Sequence, residues 1–383
     1  MAEPYKITQS EGKGSGVFAI STIPPGTTIM CDTPVLKLPR KLAQYTDEEV
    51  FRAFKELDED SQARVMELHE GHRAFKTKLM RIFKANNFGY ERFCVVYPKV
   101  SRINHSCVPN AAMNTRENLT TEIVATQPIR KGEEVYITYN GLFEGMTAGR
   151  RYRTLRAYYG FECRCPACAL PPNDLILSDA RRQLISVLDA KIRGFEPPNF
   201  HLIDHLTPTT AEQLAMQIRY DRMPLETPLT LPERAAYNLM LAKLLQAEHL
   251  TTSVVDAYRN AAYHLAEQML QHEDIVIVAC CQNVQAWMTK AIEAATSING
   301  VESARAKSLG DEWREWQTVD HFKVYNMSRQ GNLTDPGFLD GRDFAVRIGM
   351  FGPAHCSVLT MTALSRRECR ALMQERLQKT SSL

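Results

Sequence analysis

Between residues 5 and 38 the apolar positions come in short runs cut by turn residues. Val17-Phe18-Ala19-Ile20 follows Gly14-Ser15-Gly16, Pro24-Pro25-Gly26 interrupts, and Thr28-Ile29-Met30-Cys31 resumes. Such runs predict small strands joined by tight turns. From Thr46 to about Lys84 the spacing lengthens. Val50, Phe51, Phe54 and Leu57, then Val65, Met66 and Leu68, recur at three- and four-residue intervals among many charges, which predicts an inserted helical segment. Strand-like runs return at Phe93–Pro98, at Ala111–Asn114 and Thr121–Ala125 around the turn Arg116-Glu117-Asn118, and at Val135–Tyr139 after the turn Arg130–Glu134.

Arg150–Tyr159 suits a helix, and Pro171-Pro172-Asn173 reads as a domain boundary. Beyond it, Ala180–Lys191, Ala211–Tyr220, Leu231–His249, Val254–His272, Ile275–Ala295 and Val301–Trp316 all carry helical periodicity. No repeat of about 34 residues runs through them, so helix-on-helix core packing is expected rather than a repeat array. Residues 329–353 read as irregular, before a final helix near Leu364–Leu377. The pattern predicts an α+β chain, β-rich first and all-helical afterwards.

Composition adds three constraints. With 383 residues, 44% of them hydrophobic, the chain is long enough for one large or two ordinary cores. No apolar run approaches the roughly 20 residues that span a bilayer, and Met1–Lys6 lacks a secretory apolar region, so an intracellular protein without a membrane partner is expected. The net charge of +2 is too small to argue for direct nucleic-acid binding. It divides into +5 over residues 1–170 and −3 over 171–383, a mild asymmetry that would favour a basic substrate. Of ten cysteines, Cys163, Cys165 and Cys168 crowd into six residues, which in a reducing compartment reads as metal. Tetrahedral zinc wants a fourth ligand. His69 and His72, three apart on a charged helix, read as solvated.

The densest polar stretch is Asn104-His105-Ser106-Cys107-Val108-Pro109-Asn110, preceded by Ser101-Arg102-Ile103. With Gly14-Ser15-Gly16, Gly132-Glu133-Glu134 through Tyr139, and Tyr159 to Cys168 in that order, it resembles the signature of SET-domain protein-lysine methyltransferases. The chain is most similar to the SET-and-MYND group and its fungal relatives. The MYND zinc module is absent, since no cysteine lies between Cys31 and Cys94. The resemblance implies a SET fold with a pseudoknot over residues 1–162, with the helical insert at about 40–85. A zinc-bound post-SET segment would follow at 163–172 and a helical domain at 173–383. It also implies S-adenosylmethionine held by Lys13, Ser15, Asn86, Ser101, Asn104, His105, Tyr139 and Phe161, with Asn87 as an alternative to Asn86. Phe88, Tyr139 and Tyr159 would wall a lysine channel, Tyr139 would be catalytic, and Cys107 would be the fourth zinc ligand. No base is assigned to His105, and Glu133 and Glu134 read as structural. The implied activity is methylation of a lysine on a histone or non-histone protein, in the nucleus and/or cytoplasm. A non-catalytic scaffold that binds peptides, or one acting on a small biosynthetic intermediate, would keep the same fold. Intact Tyr139, Asn104, His105 and the glycine pair favour the enzyme.

Overall fold

The computed structural model describes residues 3–39, 45–71, 75–90, 92–197, 223–271, 278–300, 303–319 and 322. Strands β1 (Tyr5–Ser10) and β2 (Gly14–Ala19) form an antiparallel hairpin with Ser10 opposite Gly14. Gly12 and Gly14 take the positive φ that its turn requires. A three-stranded sheet has β9 (Thr121–Ala125) between β3 (Thr28–Asp32) and β8 (Ala111–Thr115). A second has β6 (Phe93–Val96) between β4 (Leu36–Pro39) and β5 (Asn87–Tyr90). Two very short strands, β7 (Asn104–His105) and β10 (Tyr136–Ile137), pair in parallel, Asn104 beside Tyr136. The expected strand Val135–Tyr139 is thus cut to two residues. Its ladder ends because the Tyr139 N–H is taken by the His105 ring instead of a neighbouring strand.

Alternation explains the sheets. On β4, Leu36 and Leu38 point inward and Lys37 outward. Val17, Ile29, Val95, Ile123 and Ile137 from several strands share one core. Asp32 at the end of β3 accepts from the N–H groups of Lys99 and Val100, at 2.7 and 2.9 Å. That fixes the short 3₁₀ turn Val100–Arg102, which carries Ser101 up to the central motif.

The insert folds as α1 (Asp47–Lys55), α2 (Glu59–Met66) and α3 (Lys78–Asn86), each capped at its N-terminus by a side chain: Thr46 in a full capping box, Asp58 and Thr77. Their apolar faces, with Val50, Phe54, Val65 and Phe83, close on Leu36, Leu38 and Val96 as a separate core. Helix α3 runs straight into β5, a strand that the sequence pattern did not single out.

After α4 (Ala148–Tyr159), helix α5 covers Pro172–Ile192 and begins eight residues before the expected start at Ala180. The two prolines open this helix. Pro172 occupies its first position, where a missing N–H costs nothing and a fixed φ is already helical. Helices α6 (Leu231–Ala247), α7 (Val254–Leu270), α8 (Val278–Asn299) and α9 (Ala304–Trp316) pack in succession, with α5 against α6. Leu239, Leu244, Tyr258, Leu265, Trp287 and Met288 fill their shared core. Each full burial of a side chain of this kind is worth about 1.5–3 kcal/mol. The expected helices Ala211–Tyr220 and Leu364–Leu377, the irregular stretch 329–353 and His72 lie outside the described residues. Among the described residues no helix is long and apolar enough to cross a membrane.

The helical part is tied to the sheets by buried polar groups. Arg182 of α5 is fully buried and pairs with Glu248 at 2.9 Å. It also donates to the carbonyls of Phe143 at 3.0 Å and Cys107 at 3.5 Å. Ser178 and Arg181 complete the shell around Glu248. Glu144, in the 3₁₀ turn Gly141–Gly145 just after Tyr139, accepts from Thr252 and Ser253 at the start of α7.

Candidate active site

A cleft of about 320 Å³ opens between β5, the 3₁₀ turn at Ser101 and the segment Thr138–Gly141. Asn86, Phe88, Ser101, Tyr139 and Tyr159 all line it, with Tyr90 and Tyr97. Tyr139 is held at both ends. Its N–H donates to His105 Nδ1 at 3.2 Å and its hydroxyl to the Ile103 carbonyl at 3.0 Å. The rings of Tyr159 and Phe161 stand 5.1 and 6.3 Å from it, tilted and edge-on. Burial, and after it Tyr159, raises the Tyr139 hydroxyl well above the usual range, and burial pushes Tyr159 up to about 12. Both phenols are therefore neutral hydroxyls at physiological pH.

The side chain of Asn86 points elsewhere. Its amide nitrogen donates to the carbonyls of His69 and Ile82 at 2.8 and 2.7 Å, closing the end of α3. The amide of Asn87 is spent likewise on Phe83 and Lys84. It is the main-chain carbonyl of Asn86 that meets Ser101 Oγ, at 3.3 Å.

Lys13, Ser15 and Asn104 form a second group, and Glu134 is what joins them. Its carboxylate accepts from Asn104 Nδ2 at 2.6 Å on one oxygen. On the other it accepts from Ser10 Oγ at 3.1 Å, Lys13 Nζ at 3.2 Å and the Tyr136 hydroxyl at 2.5 Å. Asn104 also donates to the Ser15 carbonyl at 3.0 Å, stitching the hairpin to the central motif. Burial alone would raise the pKa of Glu134, but the bonds from Asn104, Tyr136 and Lys13 outweigh it and hold the carboxyl below its usual value. Glu134 is thus structural, and what the sequence does not display is which groups it joins. The hint lay in an acid placed two residues before Tyr136 and five before Tyr139, in a chain whose glycine pair also needs a partner.

The two glycines of Gly14-Ser15-Gly16 have different causes. Gly14 has a φ of +78° and open space beside it, so this turn leaves its backbone bare. Gly16 is required by room, since a Cβ there would overlap the Glu134 carboxylate and sit 2.9 Å from Ser10 Cβ. Gly16→Ala must displace a carboxylate held by four donors, and we expect it to lose about 1–3 kcal/mol of stability. Thermal unfolding of both forms checks this, and a shift worth less than about 0.5 kcal/mol would contradict the role given to Gly16.

Cys107, Cys163, Cys165 and Cys168 bring their sulfurs within 4.8 Å of one another. Cys107 lies 3.9 Å from Cys163 and 3.6 Å from Cys168, sulfur to sulfur. Four thiolates about 2.3 Å from a central zinc stand roughly 3.8 Å apart along each tetrahedral edge, so the cluster is compatible with a zinc site. Fully buried Arg151 donates to Cys168 Sγ at 3.6 Å and to the carbonyls of Met146 and Ala167, setting a cation beside the sulfurs. His105 is buried among them, and burial pushes its pKa down to about 4. Both ring nitrogens are occupied by protein, Nδ1 by the Tyr139 N–H and Nε2 by Cys107 Sγ at 3.2 Å. Any cofactor contact by His105 therefore falls to its main chain or ring face.

Residues 14–140 match the family model of the SET domain. The chain carries a SET domain. The match spans the hairpin glycines, the central motif and Tyr139, and leaves the helical part outside it. The SET-containing chain is 27% identical over 190 residues to the histone-lysine N-methyltransferase set5 of Schizosaccharomyces pombe, covering 49% of this chain and 57% of that protein. It is 40% identical over 73 residues to the human protein-lysine N-methyltransferase SMYD4, covering 19% of this chain and 9% of that one. With human N-lysine methyltransferase SMYD2 the figures are 36% over 87 residues, 23% and 19%. The chain spans little more than half the length of the fission-yeast protein.

Proposed function

We propose that the chain is a zinc-containing protein-lysine N-methyltransferase that uses S-adenosylmethionine. The observation that carries this is Tyr139, a buried neutral hydroxyl fixed at its main chain and its oxygen, in a cleft walled by Phe88, Tyr90, Tyr97 and Tyr159. The relatives' names support the same chemistry on lysine. Residues 163–172 are read as the post-SET segment and those beyond as the helical domain. A histone or non-histone protein is the proposed substrate, in the nucleus and/or cytoplasm.

S-adenosylmethionine supplies an electrophilic methyl group on a sulfonium. Its amino-acid end carries a carboxylate, and the hairpin offers the part-exposed Lys13 ammonium, steadied by the buried Glu134 carboxylate, next to the open backbone at Gly14. Asn104, held between Ser15 and Glu134, completes that face, with Phe161 beside Tyr139. The aromatic cleft acts on the substrate. A lysine ammonium, ordinarily with a pKa near 10.4, loses its water shell there and gives up its proton more readily. The cleft faces first attract the cation and then orient the neutral amine. The Tyr139 hydroxyl, already aligned by the Ile103 carbonyl, supplies a fixed dipole where charge develops.

Cys107, Cys163, Cys165 and Cys168 would hold one zinc ion, which supplies a crosslink between the central motif and the segment carrying Phe161. Metal analysis should give about one zinc per chain. In Cys165→Ser, metal content and methyl transfer should fall together, whereas a metal-free, fully active preparation would end the zinc assignment. The activity itself is tested by incubating the protein with radiolabelled methyl donor and a cell extract. Labelled protein bands support the proposal, and donor binding without any transfer sinks it.

A further inference from the structure

We propose that His105 is a positioning residue whose ring couples the cysteine cluster to the main chain of Tyr139. The inference rests on the zinc methyltransferase reading above and goes beyond it. The ring is buried and wedged between the two sites, 5.2 Å from the Tyr139 ring. Its two nitrogens face opposite ways. Nδ1 lies 3.2 Å from the Tyr139 N–H, which can only donate, so Nδ1 must accept. That leaves the proton on Nε2, and Nε2 lies 3.2 Å from Cys107 Sγ. One imidazole therefore donates to a sulfur of the cluster and accepts from the residue beside the reacting amine.

A thiolate is the better acceptor for that N–H, because a charged partner strengthens the bond. With Cys107 held as a thiolate in the cluster, the tautomer is locked and Nδ1 stays available to Tyr139. If the cluster loses its ion, Cys107 Sγ is no longer held in place against Nε2 and the ring is freer to turn. The anchor of the Tyr139 main chain then goes with it. Outer partners that orient ligands in this way are worth 10–100-fold in metal affinity or activity.

The two bonds can be separated by substitution. Asparagine places an oxygen near the position of Nδ1 but nothing at Nε2, and glutamine can place a donor near Nε2 but no acceptor at Nδ1. We therefore expect the zinc of full-length His105→Asn to pass to a chromophoric chelator about tenfold faster than that of the wild type. In His105→Gln, metal transfer should stay within about twofold of wild type. Its methyl-transfer rate to extract proteins at saturating donor should fall about tenfold, with little change in KM for the donor. A ring that merely fills space predicts that both variants lose stability and shift both readouts alike. That outcome, or no shift in either variant, overturns the inference.

A third measurement needs no variant. Removing zinc from the wild-type chain should speed amide hydrogen exchange at Tyr139, and unchanged protection there would overturn the coupling even if a substituted chain failed to fold. A wild type that holds no zinc and transfers no methyl group would overturn the underlying reading as well. A loaded, active wild type with indistinguishable variants overturns the coupling alone.

Discussion

Tyr139→Phe should lower methyl-transfer turnover by about 100-fold while leaving affinity for the methyl donor within a few-fold of wild type. At 1.36 kcal/mol per decade that is roughly 2.7 kcal/mol of barrier. The ring remains, so its contacts with Tyr159, Phe161 and His105 survive. What disappears is one oxygen, together with its bond to the Ile103 carbonyl. An ordinary hydrogen bond contributes only about 0.5–1.5 kcal/mol to stability, so the loss of turnover should exceed the loss of folding free energy. Turnover and donor binding measured side by side decide the matter. If turnover falls no more than stability does, Tyr139 is a packing residue and another group aligns the amine.

The largest loss of stability is expected from Glu248→Leu. Glu248 sits between two arginines, accepts from Ser178 as well, and is almost completely buried. Removing the carboxylate leaves Arg182 charged in the interior without a counter-ion, a change that costs about 3–5 kcal/mol. Asp189→Ala on the same helix breaks only an exposed pair with Arg193 and should cost less than about 0.5 kcal/mol. Thermal unfolding of the two variants against wild type provides the test, and equal shifts would show that the buried network carries no special weight. Since Arg182 also donates to the Cys107 and Phe143 carbonyls, the Glu248 variant should lose activity beyond its unfolded fraction.

Much of this was legible in the sequence because it is local. The short apolar runs at Val17–Ile20 and Thr28–Cys31, the three- and four-residue spacing from Val50 to Leu68, and the spacing of Cys163, Cys165 and Cys168 each declare themselves within a few residues. What was not legible depends on groups far apart in the chain. Glu134 gains its meaning from Ser10, Lys13 and Asn104, and the room it needs is provided by Gly16. The amide of Asn86 is turned away by helix carbonyls, a competition that a motif does not display. Pro171-Pro172 signals a break in either reading, and only the residues downstream decide whether it ends one element or opens the next. The helical part offered periodicity but no sign that Arg182 would reach back to Cys107, 75 residues earlier.

The long reach of Glu134 has a consequence for biosynthesis. Ser10 and Glu134 are separated by 124 residues. At about 5–20 residues per second of translation, the first hairpin waits roughly 6 to 25 s for the carboxylate that fills the gap beside Gly16. During that interval β1 and β2 can pair with each other, but Ser10 and Lys13 have no Glu134 to bond. A nascent chain arrested before residue 134 should therefore expose this hairpin to protease, and one arrested far enough beyond it to free Glu134 from the ribosomal tunnel should protect it.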